Sequence, residues 1–334
     1  MARSINKGPK PKAGYGQVSS KSLKEAKEKT AKRMAPRPVH PGLGKQARAA
    51  ARPIASVYSD EASTLQVALL GAQKHGIDKL DARMLLLHAL GKNPLDAAWL
   101  LAHGQDALKP VQAEAFGTAC TRRRGGEPVA YITGQREFYG LDLRVDARVL
   151  DPRPDTETLV DWALELLAGK TAPQVIDLGT GSGAIALALQ KARPDAQVTA
   201  VDNSADALAV AKANAARLAL PVAFLQSSWL AEVAGTFDLV VSNPPYITDA
   251  DPHLPALAFE PRSALTAGPD GLDDIRQIVA QAPAHLRPQG WLLLEHGYDQ
   301  APAVMALLEQ AGFTQVQSRP DLAGIARCTG GQVN

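Results

Sequence analysis

The sequence predicts an α/β protein with a doubly wound, mostly parallel sheet, preceded by a small helical domain and a basic tail. From residue 156 onward, apolar strand-like runs alternate with helical patterns, which favours parallel strands joined by helices. A glycine-rich turn follows the first of these strands, as in sheets that bind nucleotide-like ligands at the carboxyl ends of their strands. Residues 63–125 show only helical signals.

The chain has 334 residues, 46% of them hydrophobic, and is long enough for two domains and a large core. No run approaches the roughly 18 consecutive apolar residues of a membrane span. We find no apolar segment typical of a secretory signal and expect a cytoplasmic, monomeric protein. Cys120 and Cys328 lie far apart without a CxxC partner. This spacing excludes a disulfide framework and a cysteine zinc site, and we expect no metal.

Residues 1–60 are predicted to form a disordered basic tail. Residues 1–52 hold 14 Lys and Arg against two acids, a net charge of +12, which leaves the remainder at −10. Few large apolar side chains occur there, so burial could not offset the entropy of ordering. We favour a solvated tail without function, or a reading frame that truly starts at Met34 or later. Electrostatic contact with RNA or the ribosome is the alternative, and a mitochondrial transit peptide fits the composition less well.

Residues 61–126 are predicted to form a small helical bundle. Ser63 and Gln66 make a capping box for the first helix. Asp81 is expected to cap a helix over 82–90, which Gly91 ends. The third helix is expected to begin at Asn93-Pro94, and the fourth to run over 110–124.

Residues 127–154 are predicted to form a β-hairpin linker, because the apolar period changes to that of short strands. The apolar positions are Tyr131, Phe138, Leu141, Leu143, Val145 and Val149, with Gly134 and Gly140 as breakers. Residues 155–330 then form the predicted sheet domain. Its expected strands are 174–178, 197–201, 222–225, 239–242, 291–295 and 314–319, and its expected helices are 156–167, 184–191, 205–217, 271–284 and 301–311.

The turn Asp177-Leu178-Gly179-Thr180-Gly181-Ser182-Gly183 indicates a nucleotide-like cofactor, because glycines allow positive φ and close approach of the backbone. Asp202, at the end of the next strand, is placed to accept hydrogen bonds from two ribose hydroxyls. Dinucleotide enzymes share both features. A carboxylate at Asp177 would repel a pyrophosphate but suits S-adenosylmethionine, which carries an ammonium, a sulfonium and no phosphate. The alternative is that Asp177 only braces the turn.

The segment Asn243-Pro244-Pro245-Tyr246 follows an apolar strand. Asn-Pro-Pro is by itself a turn signal. The prolines also fix the backbone and remove two donors, so that the Asn243 side-chain oxygen and the Pro244 carbonyl can each accept one N–H of a planar –NH₂ group. Tyr246 can stack on that group. Holding both hydrogens aims the nitrogen lone pair at a methyl donor and stabilises the developing charge. The chemistry indicated is methyl transfer to an amide or aryl amine.

Together these motifs resemble a class I S-adenosylmethionine-dependent methyltransferase. Within that class the chain resembles the peptide-chain release factor glutamine methyltransferases, the PrmC or HemK family, from about residue 63 to 327. A sister family that methylates a ribosomal protein differs around the Pro-Arg segment. The further matching stretches are Arg124-Gly-Gly-Glu-Pro128, Tyr131-Ile-Thr-Gly134, Glu137-Phe138, Pro152-Arg-Pro154, Thr156-Glu157, Glu260-Pro261, Ala264-Leu265, Asp270-Gly271-Leu272, Leu294-Glu-His-Gly297 and Asp321-Leu-Ala-Gly324.

The resemblance implies that the substrate is the glutamine of the Gly-Gly-Gln motif in class 1 release factors, whose carboxamide Asn243 and Tyr246 would hold. It also implies that the glycine loop and Asp202 contact S-adenosylmethionine, that Trp229 borders its adenine, and that the helical domain helps to grip the release factor. Ser228 stands where the family usually has Asp, and we expect weaker cofactor binding. Asp151 replaces an aliphatic residue, and Asp155 replaces Glu.

Other functions remain open at this stage. A methyltransferase acting on adenine or guanine amino groups would share the Asn-Pro-Pro-aromatic segment, although the net charge of −10 outside the tail disfavours nucleic acid. A ribosomal-protein glutamine is another acceptor. A dinucleotide oxidoreductase or a non-enzymatic RNA-binding scaffold would leave the segment unexplained. The chain itself ends in Gly330-Gly331-Gln332-Val333-Asn334, which we interpret as coincidence, with methylation of Gln332 as a minor hypothesis.

Overall fold

The computed structural model describes residues 64–334. The predicted tail at 1–60 and the predicted cap Ser63 lie outside the described residues. The described part begins with four helices, whose buried side chains share one apolar core. These helices are α1 (Leu65–Lys74), α2 (Lys79–Ala89), α3 (Ala97–Ala102) and α4 (Pro110–Arg124).

Three of these helices begin at other caps than the sequence predicts. Thr64 caps α1, and Asp78 caps α2 by accepting a hydrogen bond from the Leu80 amide at 2.8 Å. Asp81 does not cap α2, because it lies in its first turn and pairs with Arg123 of α4 at 2.6 Å. The prediction that α3 starts at Asn93-Pro94 is also wrong, since Asp96 caps it. In each case a nearby carboxylate or hydroxyl accepts from a backbone donor in the first turn of the helix.

The segment predicted as a hairpin linker contains the hairpin and also a short helix. After α5 (Val129–Thr133), Gly134 adopts φ +68° and leads into β1 (Gln135–Phe138) and β2 (Leu141–Arg144), which pair antiparallel. Tyr131, predicted in a strand, therefore lies in α5. Its ring packs in the core of the sheet, whereas Ile132 packs in the core of the four helices. The segment thus ties two cores together because adjacent side chains of one helical turn face different layers.

The rest of the chain forms a seven-stranded sheet with helices on both faces, which confirms the predicted fold class. The strand order is β5-β4-β3-β6-β7-β9-β8, and only β9 runs antiparallel to its neighbours. In chain order the elements are α6 (Glu157–Leu166), β3 (Gln174–Leu178), α7 (Ala184–Ala192), β4 (Gln197–Asp202), α8 (Ala205–Leu218), β5 (Ala223–Gln226), β6 (Phe237–Ser242), α9 (Asp273–Gln281), β7 (Leu286–Glu295), α10 (Ala301–Gln310), β8 (Thr314–Pro320) and β9 (Ala326–Gln332).

Alternate residues of the central strands supply two apolar cores. Val175 of β3 faces the core shared with α6, α7 and α8, whereas Ile176 faces the core shared with α9 and α10. Leu293 and Leu292 of β7 divide in the same way. A strand buried on both faces reads as a continuous apolar run, which is why the sequence predicts these strands well. Within residues 64–334, no helix is both long and apolar enough to cross a membrane.

Candidate active site

Four neighbouring strands end in polar side chains at one edge of the sheet. Asp177 lies near the end of β3, Asp202 ends β4, Asn243 directly follows β6, and Glu295 ends β7. These strands are parallel, so their carboxyl ends lie side by side. Ligands of doubly wound sheets bind at this edge. The fold therefore collects the glycine loop and the Asn243–Tyr246 segment, here called the arch, in one place.

Asp177 braces the glycine loop from beneath. Its Oδ2 accepts hydrogen bonds from the Thr180 hydroxyl at 2.6 Å and from the Ala186 amide of α7 at 3.2 Å. The side chain is fully buried, and this burial raises its pKa to about 7. Direct contact of this carboxylate with a ligand would require the loop to move. The contacts thus favour the bracing interpretation over direct recognition of a cationic ligand.

The other loop residues stabilise the turn by close packing and hydrogen bonds. Gly183 adopts φ +86° where α7 begins, and a Cβ there would lie 3.0 Å from Leu187 Cδ1. Thr180 and Ser182 are buried, and the Ser182 carbonyl accepts a hydrogen bond from Asn214 at 2.9 Å. Gly179 and Gly181 also have positive φ but stay accessible. The backbone at these two glycines is therefore the surface that the loop offers to a ligand.

Asp202 is held in place by the backbone around it. Its two carboxylate oxygens accept hydrogen bonds from the amides of Gly181 and Ser204, each at 2.9 Å. Burial raises the pKa of Asp202, while these amides act in the opposite direction. Each oxygen keeps a free acceptor site. The carboxylate therefore has acceptor sites left for a ligand, and its binding of two ribose hydroxyls stays a prediction.

Trp229 stands over the glycine loop. A Cβ on Gly179 would lie 3.2 Å from the indole Cζ3, so the ring packs closely on the loop backbone. Trp229 has φ +52°, an uncommon value for a residue with a side chain. Its side chain hydrogen-bonds to Asp274 of α9, whose pKa burial raises. Trp229 therefore gives the cavity that Asp202 also lines an aromatic surface.

One cavity of about 630 Å³ joins the two halves of the site, within the size range of small-molecule pockets. Six of the predicted catalytic, cofactor-binding and substrate-binding residues line it: Gly179, Gly181, Asp202, Trp229, Asn243 and Pro245. The cavity lining does not include the loop residues Asp177, Thr180, Ser182 and Gly183, nor Pro244 and Tyr246 of the arch. Three carboxylates line the cavity, from Asp202, Asp206 and Asp274, beside Arg148, which is paired with Asp146 at 2.6 Å. This charge suits a cationic ligand better than a pyrophosphate.

The arch presents free acceptors. The Asn243 Nδ2 donates to the Thr156 hydroxyl oxygen at 3.2 Å. Among residues 64–334, neither the Asn243 Oδ1 nor the Pro244 carbonyl accepts a hydrogen bond. Pro244 is buried and Asn243 is half-buried. The side-chain oxygen is thereby fixed and available, as binding of an –NH₂ group requires.

Tyr246 is anchored at both ends. Its hydroxyl donates to the Glu295 Oε1 at 3.4 Å, and its carbonyl accepts from the Gln300 Nε2 at 3.1 Å. Gly271 packs so closely on this carbonyl that it has no room for a Cβ. Burial and the Glu295 carboxylate raise the pKa of Tyr246, which keeps the phenol neutral. The ring is therefore a fixed, uncharged surface.

Sequence reasoning missed four residues that hold the arch. Ser242 is fully buried and donates to the Leu178 carbonyl at 2.7 Å, which joins the arch to the glycine loop. Thr156, Glu295 and Gln300 come from three other segments. Thr156 and Glu295 do fall within stretches that resemble the family. That resemblance is the only sequence signal for these two residues, and it does not indicate what either of them does.

The three departures from the family pattern have different surroundings. Ser228 is exposed and lines the cavity. Asp151 is buried and pairs with Arg136 and Arg153, each at 3.3 Å. Burial raises the pKa of Asp151 and the two arginines lower it. Asp155 lies 3.8 Å from Arg327. Asp151 therefore belongs to an ion cluster beside the site and not to the cavity.

Gln332 lies in β9, a strand that the sequence did not predict. It pairs with Trp291 of β7, four residues before the site end of that strand. Its side-chain amide donates to the Gln289 carbonyl at 3.0 Å and accepts from Gln315 at 2.5 Å. A Cβ on Gly330 would lie 2.9 Å from the Trp162 ring. Close strand packing therefore accounts for the glycines, and the structure does not bring Gln332 to the site.

The part of the chain with described coordinates holds no cluster of three His, Cys, Asp or Glu side chains suited to a metal ion. Cys120 and Cys328 are both buried and unpaired. Burial raises the pKa of each thiol, that of Cys120 to about 12.

Comparison with known proteins gives matches over both parts of the chain. Two family models match, the methyltransferase small domain over residues 156–258 and the PrmC N-terminal domain over residues 61–134. The release factor glutamine methyltransferase of Bordetella pertussis is 50% identical over 260 residues, 77% of this chain and 95% of that protein. That of Xylella fastidiosa is 50% identical over 270 residues, 80% of this chain and 97% of that protein.

A solved structure also matches. The crystal structure of the release-factor-specific protein-(glutamine-N5) methyltransferase from Alicyclobacillus acidocaldarius has 33% sequence identity and a TM-score of 0.37. The match covers 55% of this chain and 94% of that one.

Proposed function

The chain belongs to the family of release factor glutamine methyltransferases, which confirms the resemblance of its motifs, and from this premise we propose its reaction. It transfers the methyl group of S-adenosylmethionine to the side-chain amide nitrogen of the glutamine in the Gly-Gly-Gln motif of class 1 peptide chain release factors. The observation that carries the proposal is the fixed Asn243 amide, whose oxygen is free at a cavity shared with the glycine loop and Asp202.

The cavity supports S-adenosylmethionine as the methyl donor. Gly179 and Gly181 offer backbone without side chains, Asp202 can accept from two ribose hydroxyls, and Trp229 can border the adenine. The surrounding carboxylates favour a ligand with an ammonium and a sulfonium. When bound, this donor supplies an electrophilic methyl group on a positively charged sulfur. The dinucleotide alternative is less suitable, because the same carboxylates would repel a pyrophosphate.

The arch supports a planar amide as the acceptor. The Asn243 Oδ1 and the Pro244 carbonyl each accept one N–H of the glutamine carboxamide, and Tyr246 packs against its plane. An amide nitrogen is a weak nucleophile because its lone pair is delocalised. Two acceptors that hold its hydrogens turn the lone pair toward the methyl group and stabilise the positive charge that develops on nitrogen. In this transfer the nitrogen would bond to the methyl carbon as the carbon–sulfur bond breaks, the electron pair of that bond would stay on sulfur, and the proton released from nitrogen would pass to water.

The helical region supports a role in holding the release factor. A groove of about 880 Å³ runs between α2 and the loop before α3 on one side and the β1–β2 hairpin on the other. Leu80, Leu95 and Lys92 line its outer part, and both leucines are exposed. Residues 61–126 would thus recognise the body of the substrate, while residues 155–330 carry the chemistry and 127–154 join the two.

The proposal is tested by a methyl-transfer assay with S-adenosylmethionine and a purified class 1 release factor. Peptide mass spectrometry reads the mass of the Gly-Gly-Gln fragment. We expect an increment of one methyl group on the glutamine with the wild type and none with Asn243→Ala. If the wild type binds the cofactor but leaves this glutamine unmodified, the proposal is wrong. Assays with ribosomal proteins and with adenine- or guanine-containing RNA and DNA then decide between the two remaining acceptor classes.

A further inference from the structure

A buried carboxyl group lies directly beneath the arch. Glu295, the last residue of β7, is 1% exposed. Its Oε1 accepts a hydrogen bond from the Tyr246 hydroxyl, while its Oε2 has no hydrogen-bond partner among the described residues. Burying an acid under such conditions is costly. A group that is costly to bury and that touches the acceptor side of the site invites a functional explanation.

The contacts around Thr156 suggest a functional explanation for the buried Glu295 carboxyl group. The Thr156 oxygen accepts a hydrogen bond from the Asn243 Nδ2 at 3.2 Å. Its own hydrogen must therefore point elsewhere, and the Thr156 hydroxyl interacts with the Glu295 carboxylate in the sense that stabilises the charged form. The Thr156 hydroxyl thus interacts with both the Asn243 amide and the Glu295 carboxylate. Tyr246 also donates to this carboxylate.

We propose that Glu295 is a positioning residue, which fixes the orientation of the Asn243 amide through Thr156 and that of the ring of Tyr246 directly. This inference rests on the proposed function, and it adds a residue outside the arch to the machinery. An ionised carboxyl group has no hydrogen to donate, so every neighbouring hydroxyl must donate to it. Thr156 is then obliged to accept from Asn243, and the Asn243 oxygen is left for the substrate.

The orientation matters because an amide has chemically different ends. If the Thr156 hydroxyl donated to Asn243, the Asn243 oxygen would turn toward Thr156 and its –NH₂ group toward the cavity. Two –NH₂ groups would then face each other, and the acceptor nitrogen would lose the contact that aims its lone pair. Glu295 controls this choice without touching the substrate.

Several charged or titratable groups face Glu295 from the surrounding elements. Arg327 of β9 favours the ionised form, whereas Asp155, just before α6, disfavours it. Cys328 of β9 pairs with Glu295 across the strands, and burial keeps its thiol neutral. Burial of Glu295 raises its pKa to about 7. The experiments below are therefore run at pH 8, where most of the carboxyl group is ionised.

The first test compares Thr156→Val with Thr156→Ser. Valine keeps the shape of threonine but removes the hydroxyl, and serine restores the hydroxyl. We expect Thr156→Val to lower kcat for release-factor methylation at least tenfold, with less than a twofold change in the Kd for S-adenosylmethionine. Thr156→Ser should bring kcat back to within threefold of the wild type. Equal kcat values for the two variants would overturn the proposal.

The second test replaces the carboxyl group. Glu295→Gln keeps the size of the side chain but adds a donor, so both directions of the Thr156 hydroxyl become possible. We expect wild-type kcat to rise between pH 6 and pH 8 as Glu295 ionises. In Glu295→Gln we expect kcat to be at least fivefold lower at pH 8 and this rise to flatten. A wild-type pH profile retained in the variant would contradict the role. If this variant does not fold, the Thr156 pair decides.

A third measurement does not depend on activity. The side-chain –NH₂ resonances of Asn243, identified by their loss in Asn243→Ala, report its hydrogen bond to Thr156 by NMR. We expect these resonances to shift in Thr156→Val and in Glu295→Gln, but to stay near the wild-type position in Thr156→Ser. Unchanged resonances in all three variants would overturn the proposal. If the wild type methylates no release factor while the two variants still show these shifts, the proposed function has failed and the positioning role stands.

Discussion

The glycine loop and the arch lie at neighbouring strand ends, yet the contacts that shape them span very different lengths of chain. Within the loop, Thr180 and Asp177 are three residues apart, and Gly181 and Asp202 are 21 apart. In the arch, Asn243 contacts Thr156 across 87 residues. Tyr246 contacts Glu295 across 49 residues and Gln300 across 54.

This difference separates two ways of building a site. The loop offers backbone, and its shape follows from positive-φ conformations that glycines adopt without steric cost. The arch offers side-chain and carbonyl acceptors, whose orientation depends on partners that the fold brings from other segments. Substitutions in the loop half should therefore mainly change cofactor affinity. Substitutions in the arch half should mainly change kcat.

The largest expected effect is that of Asn243→Ala, which removes one of the two acceptors for the amide. Loss of one such group at a site where charge develops costs about 10²–10³-fold in kcat. We expect a decrease of this size in release-factor methylation, with the Kd for S-adenosylmethionine changed less than threefold by isothermal titration calorimetry. A variant that lost cofactor binding as strongly as kcat would break the division between the two halves.

Asp202→Ala should give the opposite pattern. Hydrogen bonds to a charged group contribute about 1.5–3 kcal/mol, which corresponds to about a 10- to 100-fold increase in the Kd for S-adenosylmethionine. We expect kcat at saturating cofactor to fall much less than the affinity. The matched control Asp202→Asn keeps an acceptor and should lose less. Equal losses of kcat and affinity would show that Asp202 also acts on the acceptor half.

Asp177→Asn tests the loop half through the pH dependence of the free energy of unfolding. Burial raises the pKa of Asp177 to about 7, so the folded state binds a proton that the unfolded state has released. Stability should therefore fall as pH rises from about 4 through 7, by a few kcal/mol at most at about 1.4 kcal/mol per pKa unit. The variant should flatten this fall in urea unfolding between pH 5 and pH 8. Glu295, whose pKa is raised in the same direction, should leave a residual slope. An unchanged slope in the variant would show that Asp177 keeps an ordinary pKa.

Ser228→Asp should have the smallest effect. Ser228 is exposed at the edge of the cavity, where an added carboxylate is screened and contributes up to about 1 kcal/mol. We expect the affinity for S-adenosylmethionine to rise about two- to fivefold at this energy, and Ser228→Asn to change it little. Weaker binding by the Asp variant would mean that serine is preferred in this chain.

Local patterns in the sequence predicted much of the loop half and of the sheet. The strand at 174–178 and the helix at 110–124 were predicted with their observed bounds, because a buried apolar run and a proline at a helix start are strong local signals. Strand β9 was missed, since glycines disfavour strands. Gly330 and Gly331 stand there because neighbouring strands and rings leave no room for a Cβ.

The caps and the short helix show a related limit. Asp78 and Asp81 are both acceptable caps by their residue type. In the structure Asp78 caps the helix, while Asp81 pairs with Arg123, 42 residues further along the chain. Tyr131 has an apolar pattern that fits a strand or a helix. Its place in α5 depends on the two cores that meet there.

The sequence by itself determined the fold class, and it predicted a site built from the glycine loop with Asp202 and from the Asn-Pro-Pro-Tyr segment. Each of these depends on local sequence patterns, in which the spacing of residues and the backbone restrictions of glycine and proline determine the local structure. Only the tertiary structure decided that Asp177 braces the loop, that Gln332 is held in a strand, and that Thr156 contacts Asn243 while Glu295 contacts Tyr246. A hydrogen bond depends on distance and angle in space, and the sequence records neither for residues brought together by the fold.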